Sequence, residues 1–141
     1  MSLEQMAATL SALAGGRLKD MVRDGSTLRF KIELPALAAK VNPDYTHFLA
    51  ALTGCSRFEL QPFRNESTVL KDLPSIQRMK LEIHSAEAAP PLVYLYGVGR
   101  GRERDARLMI VAEDLVVMDE AYDVWRAGEL KTLRNSQAAE D

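Results

Sequence analysis

The segment from Gly97 to Arg107, GVGRGRERDAR, contains three glycines and four arginines in eleven residues. Glycine backbones and arginine side chains are groups that proteins use to hold phosphates. A dinucleotide fingerprint, however, needs G-x-G-x-x-G before a helix, and a P-loop needs G-x-x-x-x-G-K-[ST]. Here Gly97, Gly99 and Gly101 give G-x-G-x-G before a strand-like run. The pattern therefore predicts a hairpin between two strands, with its charged side chains in water.

The arginines of this hairpin form a candidate interaction site, which consists of Arg100, Arg102, Arg104 and Arg107. Such a cluster suits RNA or an acidic partner. Surfaces that bind nucleic acid usually add stacking aromatic side chains, and the hairpin segment contains none. Binding of RNA or of an acidic partner is therefore kept as an alternative, and the sequence does not favour nucleic acid as the partner.

The chain has two histidines, His47 and His84, and one cysteine, Cys55. Zinc needs three or four clustered ligands, and the chain contains neither C-x-x-C nor H-E-x-x-H. His47 falls on a predicted helix three residues after Asp44, a spacing at which a carboxylate can orient a histidine base. His84 is predicted on the wet side of a strand, and Cys55 is predicted as a buried or half-buried thiol. These patterns predict no metal, no cofactor and no catalytic residue.

A small-molecule pocket between sheet and helices is a further hypothesis, with four candidate lining residues: His47, Phe48, Tyr94 and Tyr96. The two tyrosines stand two residues apart on a predicted strand and therefore share a face. Acidic side chains at Glu113-Asp114 and Asp119-Glu120 lie in predicted turns, where Asp commonly bonds the backbone. We interpret them as turn residues.

Hydrophobic periodicity predicts the elements that would position these residues. An apolar stripe through Leu3, Met6, Leu10 and Leu13 predicts an N-terminal helix. Helical spacing also predicts a short helix around Leu18 to Val22, one after Pro35, and a middle helix from Asn42 to Gly54. Alternation or continuous apolar runs predict strands, at Thr27–Leu34, Ser56–Phe63, Gln77–Ser85, Leu92–Val98, Ala106–Ala112 and Leu115–Met118. Residues 119–134 fit a short strand and a helical turn about as well as a helix.

Strands joined by short polar links usually pair antiparallel. The predicted fold class is thus α+β, a curved antiparallel sheet of five to six strands packed against the N-terminal and middle helices. In element order this layout resembles the curved-sheet-on-helix folds, such as the cystatin-like and NTF2-like domains. Residues 1–134 are predicted as a single domain and residues 135–141 as a disordered tail.

The composition is that of an ordinary globular chain, with 141 residues, 47% hydrophobic residues and a net charge of −2. We expect no bulk attraction to nucleic acid or to membranes. A lone cysteine gives no support for an oxidising compartment, and no signal peptide or membrane span is evident, so a cytoplasmic location is expected.

Three functions remain open at this stage. The first is a non-catalytic interaction or accessory domain that associates with itself, as a homodimer, or with another protein. Its N-terminal apolar stripe would dock either on the sheet or on a second copy. The second is the pocket named above, with or without an enzymatic activity. The third is RNA or acidic-partner binding through the arginine hairpin.

Overall fold

The computed structural model describes residues 1–62, 68–99 and 106–136. Within them lie four helices: α1 (Leu3–Ser11), α2 (Pro35–Val41), α3 (Leu73–Arg78) and α4 (Ala127–Asn135). The same residues form eight strands: β1 (Arg17–Asp24), β2 (Thr27–Glu33), β3 (His47–Thr53), β4 (Arg57–Pro62), β5 (Glu82–Ala89), β6 (Leu92–Val98), β7 (Ala106–Val111) and β8 (Asp114–Met118). None of the described helices has the length and apolar character that crossing a bilayer requires.

The α+β class and the antiparallel sheet are confirmed, but the predicted strand number is wrong. All eight strands join one open sheet in the order β4-β7-β6-β5-β1-β2-β3-β8. The extra strands come from segments that the sequence pattern assigns to helices. They widen the sheet enough for it to curl around its own core.

The two ends of the open sheet are joined through the chain itself, since β3 runs into β4 and β7 runs into β8. Backbone hydrogen bonds join these two connections to each other. Ser56 N donates to Val111 O (2.9 Å), and Glu113 N donates to Thr53 O (2.9 Å). Phe30 on β2 and Phe58 on β4 stand far apart in the strand order, yet their ring centroids are 6.2 Å apart. The sheet is therefore curved strongly, with one face turned inward.

The N-terminal helix α1 fills the inside of this curve. Met6, Leu10 and Leu13 are fully buried, so the apolar stripe docks on the sheet, which was one of the two predicted alternatives. The Ser11 hydroxyl accepts from Ala86 N (2.9 Å) and donates to Ala86 O (3.1 Å). These bonds satisfy backbone groups of β5, which pairs with β1 only near Arg17.

Cationic side chains fasten helices α1, α2 and α4 to one another. Arg134 of α4 donates to Ala12 O (3.1 Å) and Ala14 O (2.6 Å), just after α1. Lys40 of α2 donates to Arg134 O (2.9 Å) and Ser136 O (2.7 Å) at the end of α4. Because the carbonyl end of a helix carries partial negative charge, each contact both satisfies free acceptors and favours the cation.

The middle helix predicted from Asn42 to Gly54 is wrong, because the segment forms strand β3. Phe48, Ala50 and Leu52 alternate inward and are buried. The outward residues Leu49 and Ala51 are also apolar, which hides the period of two and imitates a helical stripe.

The helix predicted around Leu18 is also wrong, since these residues belong to β1. A bulge between Lys19 and Val22, with Asp20 at φ +52°, shifts the alternation by one residue. Leu18 and Met21 consequently point the same way, three residues apart as on a helix.

The strand predicted at Gln77–Ser85 is wrong in its first half. Helix α3 begins after Asp72, whose carboxylate caps Ser75 N at 3.0 Å, and has a proline in its first turn. Strand β5 begins only at Glu82 and continues to Ala89, beyond the predicted end at Ser85.

The remaining predicted elements are confirmed, namely α1, the helix after Pro35, and strands β2, β4, β6, β7 and β8. Helix α4 accounts for part of the open stretch 119–134 and ends at Asn135. Residues 137–141 of the predicted tail lie outside the described residues, so the tail remains a prediction.

Candidate functional site

The four candidate pocket residues lie at separate places in the fold. Phe48 points into the core from β3 and is fully buried, whereas His47 lies on the opposite, outer face of that strand. Tyr94 and Tyr96 lie half-buried on the outer face of β6. Three strands separate β6 from β3 in the sheet. The structure does not bring these four side chains to one cavity.

Of the four hairpin arginines, the structure places Arg107, while Arg100, Arg102 and Arg104 lie outside the described residues. Arg107 is on the outer face of β7, with its guanidinium carbon 4.5 Å from the centroid of the Tyr94 ring. Gly97 is an ordinary strand residue of β6 that packs against the backbone of Glu82 and the side chain of Leu81. Its role in the fold is close packing rather than a phosphate cradle.

Cys55 and His84, the other potentially reactive side chains, do not adjoin a catalytic partner among the described residues. Burial raises the pKa of the Cys55 thiol, and the Arg23 guanidinium partly opposes that effect. His84 is exposed on β5, with Nδ1 3.3 Å from Ser85 Oγ. In the part of the chain that the structure describes, no three His, Cys, Asp or Glu residues are grouped to hold a metal ion.

His47 is on strand β3 rather than on the predicted helix, and the carboxylate beside it is Glu120 instead of Asp44. Glu120 Oε2 accepts from Thr46 N at 2.7 Å and lies 3.3 Å from His47 Nδ1. The Thr46 backbone N–H is the main cause that lowers the pKa of Glu120. Thr46 Oγ1 also contacts His47 Nδ1, at 3.1 Å. Hydroxyl and carboxylate thus meet the same nitrogen, which fixes the ring but does not arrange a nucleophile, base and orienting acid in series.

The outer surface of β3 and β8 carries apolar side chains, and charged side chains of β2 lie beside them. Register places Lys31, Leu49 and Met118 in one row, and Arg29, Ala51 and Val116 in the next. We call the four apolar residues of these rows the outer apolar face: Leu49, Ala51, Val116 and Met118. All four are half-buried.

The loop after β8 is held rigidly by one buried carboxylate. Asp119 is 2% exposed, and its Oδ1 accepts from Ala121 N (2.8 Å) and Asp123 N (3.2 Å). Its Oδ2 accepts from the Trp125 indole Nε1 at 2.8 Å. All these donors are satisfied by one side chain, which fixes the conformation of the whole loop.

The same loop presents Tyr122 to solvent beside the outer apolar face. Tyr122 has φ +66° and is 70% exposed. With Asp20, Lys31, Leu49 and other residues it lines a shallow cavity of about 250 Å³. An aromatic side chain that is both exposed and held in a left-handed backbone conformation is unusual, and such conformations cluster at functional positions.

Both end strands of the sheet are partly blocked by the chain itself. Leu70 forms an isolated bridge with Leu60 of β4, and Val124 forms one with Met118 of β8. Trp125 N also donates to Val117 O at 2.8 Å. Since a blocked edge resists pairing with a strand of another chain, the outer apolar face is better suited for docking than either edge.

Sequence patterns missed this surface because Leu49 and Ala51 were placed on a helix and Tyr122 in an unassigned stretch. The stretch from Phe48 to Leu52 would have indicated this surface. As a strand it is apolar on both faces, and the predicted helices could cover only one of them. No protein-family model, curated protein or solved structure matches this chain.

Proposed function

We propose that this chain is a non-catalytic interaction domain that associates with a second copy of itself through the outer apolar face. The observation that carries the proposal is Tyr122, exposed in a left-handed conformation that Asp119 maintains through its hydrogen bonds. Tyrosines of this kind are frequent anchors of protein interfaces, because a large ring is buried with little loss of conformational entropy.

The size of the surface supports a dimer of modest affinity. Three strands about 4.8 Å apart and five residues of about 3.3 Å each, with the Tyr122 loop added, give roughly 400 Å² per protomer. A standard interface buries about 800 Å² per partner. We therefore expect a weak, transient dimer.

Charges flank the outer apolar face in a pattern that fits two-fold symmetry. Arg29 and Lys31 project from β2 on one side, and Asp114 and Glu120 lie at the β8 side. A two-fold axis parallel to the strands would set the β2 side of one copy over the β8 side of the other. Arg29 and Lys31, which pair within their own chain with Asp24 (3.6 Å) and Asp20 (3.4 Å), would then also approach carboxylates of the other copy.

We propose a non-catalytic role because the candidate pocket and catalytic side chains lie apart from one another. The pocket residues named from the sequence lie on different strands and faces, and the cavity beside Tyr122 is small and open. His47 and Glu120 are used to start β3 and to attach the Tyr122 loop to it. The support for docking is thus stronger than the support for a substrate pocket.

Replacing Leu49 by glutamate tests the proposal. Leu49 is half-buried on the outer face next to Lys31, so the variant should fold while placing a charge at the centre of the interface. Sedimentation velocity from about 5 to 500 µM should show a monomer–dimer equilibrium for the wild-type chain, and at least tenfold weaker association for Leu49→Glu.

A matched control is Ser85→Glu, which adds the same charge on the outer face of distant strand β5. It should dimerise as the wild-type chain does, and circular dichroism should show both variants folded. A wild-type chain that is monomeric at 500 µM, or a Leu49→Glu variant with unchanged association, would contradict the proposal.

A further inference from the structure

A second surface, on the outer side of β6 and β7, combines aromatic rings with a guanidinium group. Tyr94 and Tyr96 have ring centroids 6.1 Å apart, with their planes inclined by 38°. Arg107 lies over the Tyr94 ring and its Nε donates to Gln61 Oε1 at 3.0 Å. We call these four residues the tyrosine–arginine face: Tyr94, Tyr96, Arg107 and Gln61.

Strand register creates this surface from residues that are distant in sequence. Tyr96 pairs with Arg107 across β6 and β7, and Arg107 pairs with Gln61 across β7 and β4. The sequence pattern counted against nucleic acid because no aromatic residue lies within the Gly97–Arg107 segment. In the structure two tyrosines adjoin the arginine that ends this segment, so that objection no longer applies.

The acidic groups beside this face already have partners. Glu87 accepts from the Tyr96 hydroxyl at 2.5 Å, and Glu59 accepts from Arg57 Nε at 3.1 Å. The Arg57 guanidinium offsets the charge of Glu59, whereas the neutral Tyr96 hydroxyl orients Glu87 and leaves its charge in place. Val93 and Leu95, which alternate with the tyrosines, are fully buried on the inner side of β6, the strand that α1 contacts.

From this arrangement we infer that the tyrosine–arginine face binds single-stranded nucleic acid. Successive bases stack on aromatic rings and on guanidinium planes, while cations contact the backbone. An acidic peptide would use the arginine but would gain little from two adjacent rings, so the tyrosine pair favours bases. This inference concerns a different surface from the one proposed for self-association and does not depend on it.

Fluorescence anisotropy with labelled 12-mers of uridine and of deoxythymidine tests the inference. At 50 mM salt the wild-type chain should bind at least one of them with a micromolar dissociation constant, more weakly at 200 mM salt. The double variant Tyr94→Leu/Tyr96→Leu keeps an apolar cover but removes both rings, so its binding should weaken at least tenfold. Arg107→Gln should weaken binding and reduce its salt dependence.

Two control variants separate stacking from general structural effects. Tyr96→Phe keeps the ring but loses the hydroxyl bond to Glu87, and should bind as the wild-type chain does. Tyr122→Ala removes an exposed tyrosine on the other surface and should also leave binding unchanged, even where it weakens self-association.

Three results would overturn the inference. The first is no binding of either 12-mer up to 500 µM protein at 50 mM salt. The second is binding by the double leucine variant that equals wild type. The third is a competition experiment in which a 12-residue polyglutamate displaces the labelled 12-mer as effectively as unlabelled 12-mer does. That result would indicate a site for acidic peptides. Preference between the two 12-mers identifies the sugar and supports the inference in either direction.

Discussion

Asp119→Ala is expected to lower the free energy of unfolding by about 3 kcal/mol, because three part-buried hydrogen bonds to one buried carboxylate are lost at once. The donors are the backbone N–H groups of Ala121 and Asp123 and the indole of Trp125. Alanine offers no replacement acceptor, and the position that the carboxylate leaves is itself buried, since Asp119 is 2% exposed. Urea denaturation followed by circular dichroism measures the change.

Two companion variants show whether the hydrogen bonds are the cause. Asp119→Asn keeps an oxygen for the two backbone donors but turns an amide N–H₂ toward the Trp125 indole, so an intermediate loss of about 1–2 kcal/mol is expected. Asp123→Ala removes an exposed carboxylate from the same loop and should cost under about 0.5 kcal/mol. Equal stability of Asp119→Ala and Asp123→Ala would show that Asp119 does not organise this loop.

The second large effect is expected for Gly97→Ala, at about 3 kcal/mol or more of lost stability. A Cβ at this position would overlap the carbonyl oxygen of Glu82 and would lie 2.8 Å from Leu81 Cγ. The carbonyl belongs to the backbone of the neighbouring strand, so relief would require β5 and β6 to separate. Thermal unfolding with calorimetry would show the loss as a drop of roughly ten degrees or more.

Gly128→Ala is the matched control for this prediction. Gly128 lies in the first turn of α4, with open space where a Cβ would go. Alanine favours helix over glycine, so this variant should be as stable as the wild-type chain or more stable by up to about 1 kcal/mol. If Gly97→Ala proved as mild as Gly128→Ala, close packing would not explain the glycine of β6.

The strands with one wet face were predictable from sequence. Leu28, Phe30 and Ile32 alternate with charged residues on β2, and this contrast predicts both the strand and its buried side. β3 lacks the contrast, because Leu49 and Ala51 face outward. The sequence of β3 alone does not distinguish its outward apolar residues from its inward ones. Its assignment as a strand therefore depends on pairing with the neighbouring strands.

Irregular backbone geometry accounts for other differences from the sequence predictions. The bulge in β1 around Asp20 gives helical spacing to a strand, and only pairing with β2 makes it evident. The curl of the sheet depends on bends at Gly54 and after Val111, which join its ends. These are relations between distant segments, which periodicity within one window does not contain.

The candidate surfaces were even less accessible to sequence reasoning. No local pattern indicates that Tyr122 is exposed, because its exposure depends on the bonds of Asp119 to three later residues. Tyr94, Tyr96 and Arg107 were each noted, but for separate hypotheses. Antiparallel pairing of β6 with β7 makes them neighbours.

The central claim, that the outer apolar face joins two copies of this chain, is tested most directly by isotope-filtered NMR. A sample mixing ¹³C,¹⁵N-labelled and unlabelled chains at about 500 µM reports only contacts between copies. Our account predicts intermolecular cross-peaks from the Leu49, Val116 and Met118 methyl groups and from the Tyr122 ring. Absence of such cross-peaks, or their appearance at Tyr94 and Tyr96 instead, would contradict it.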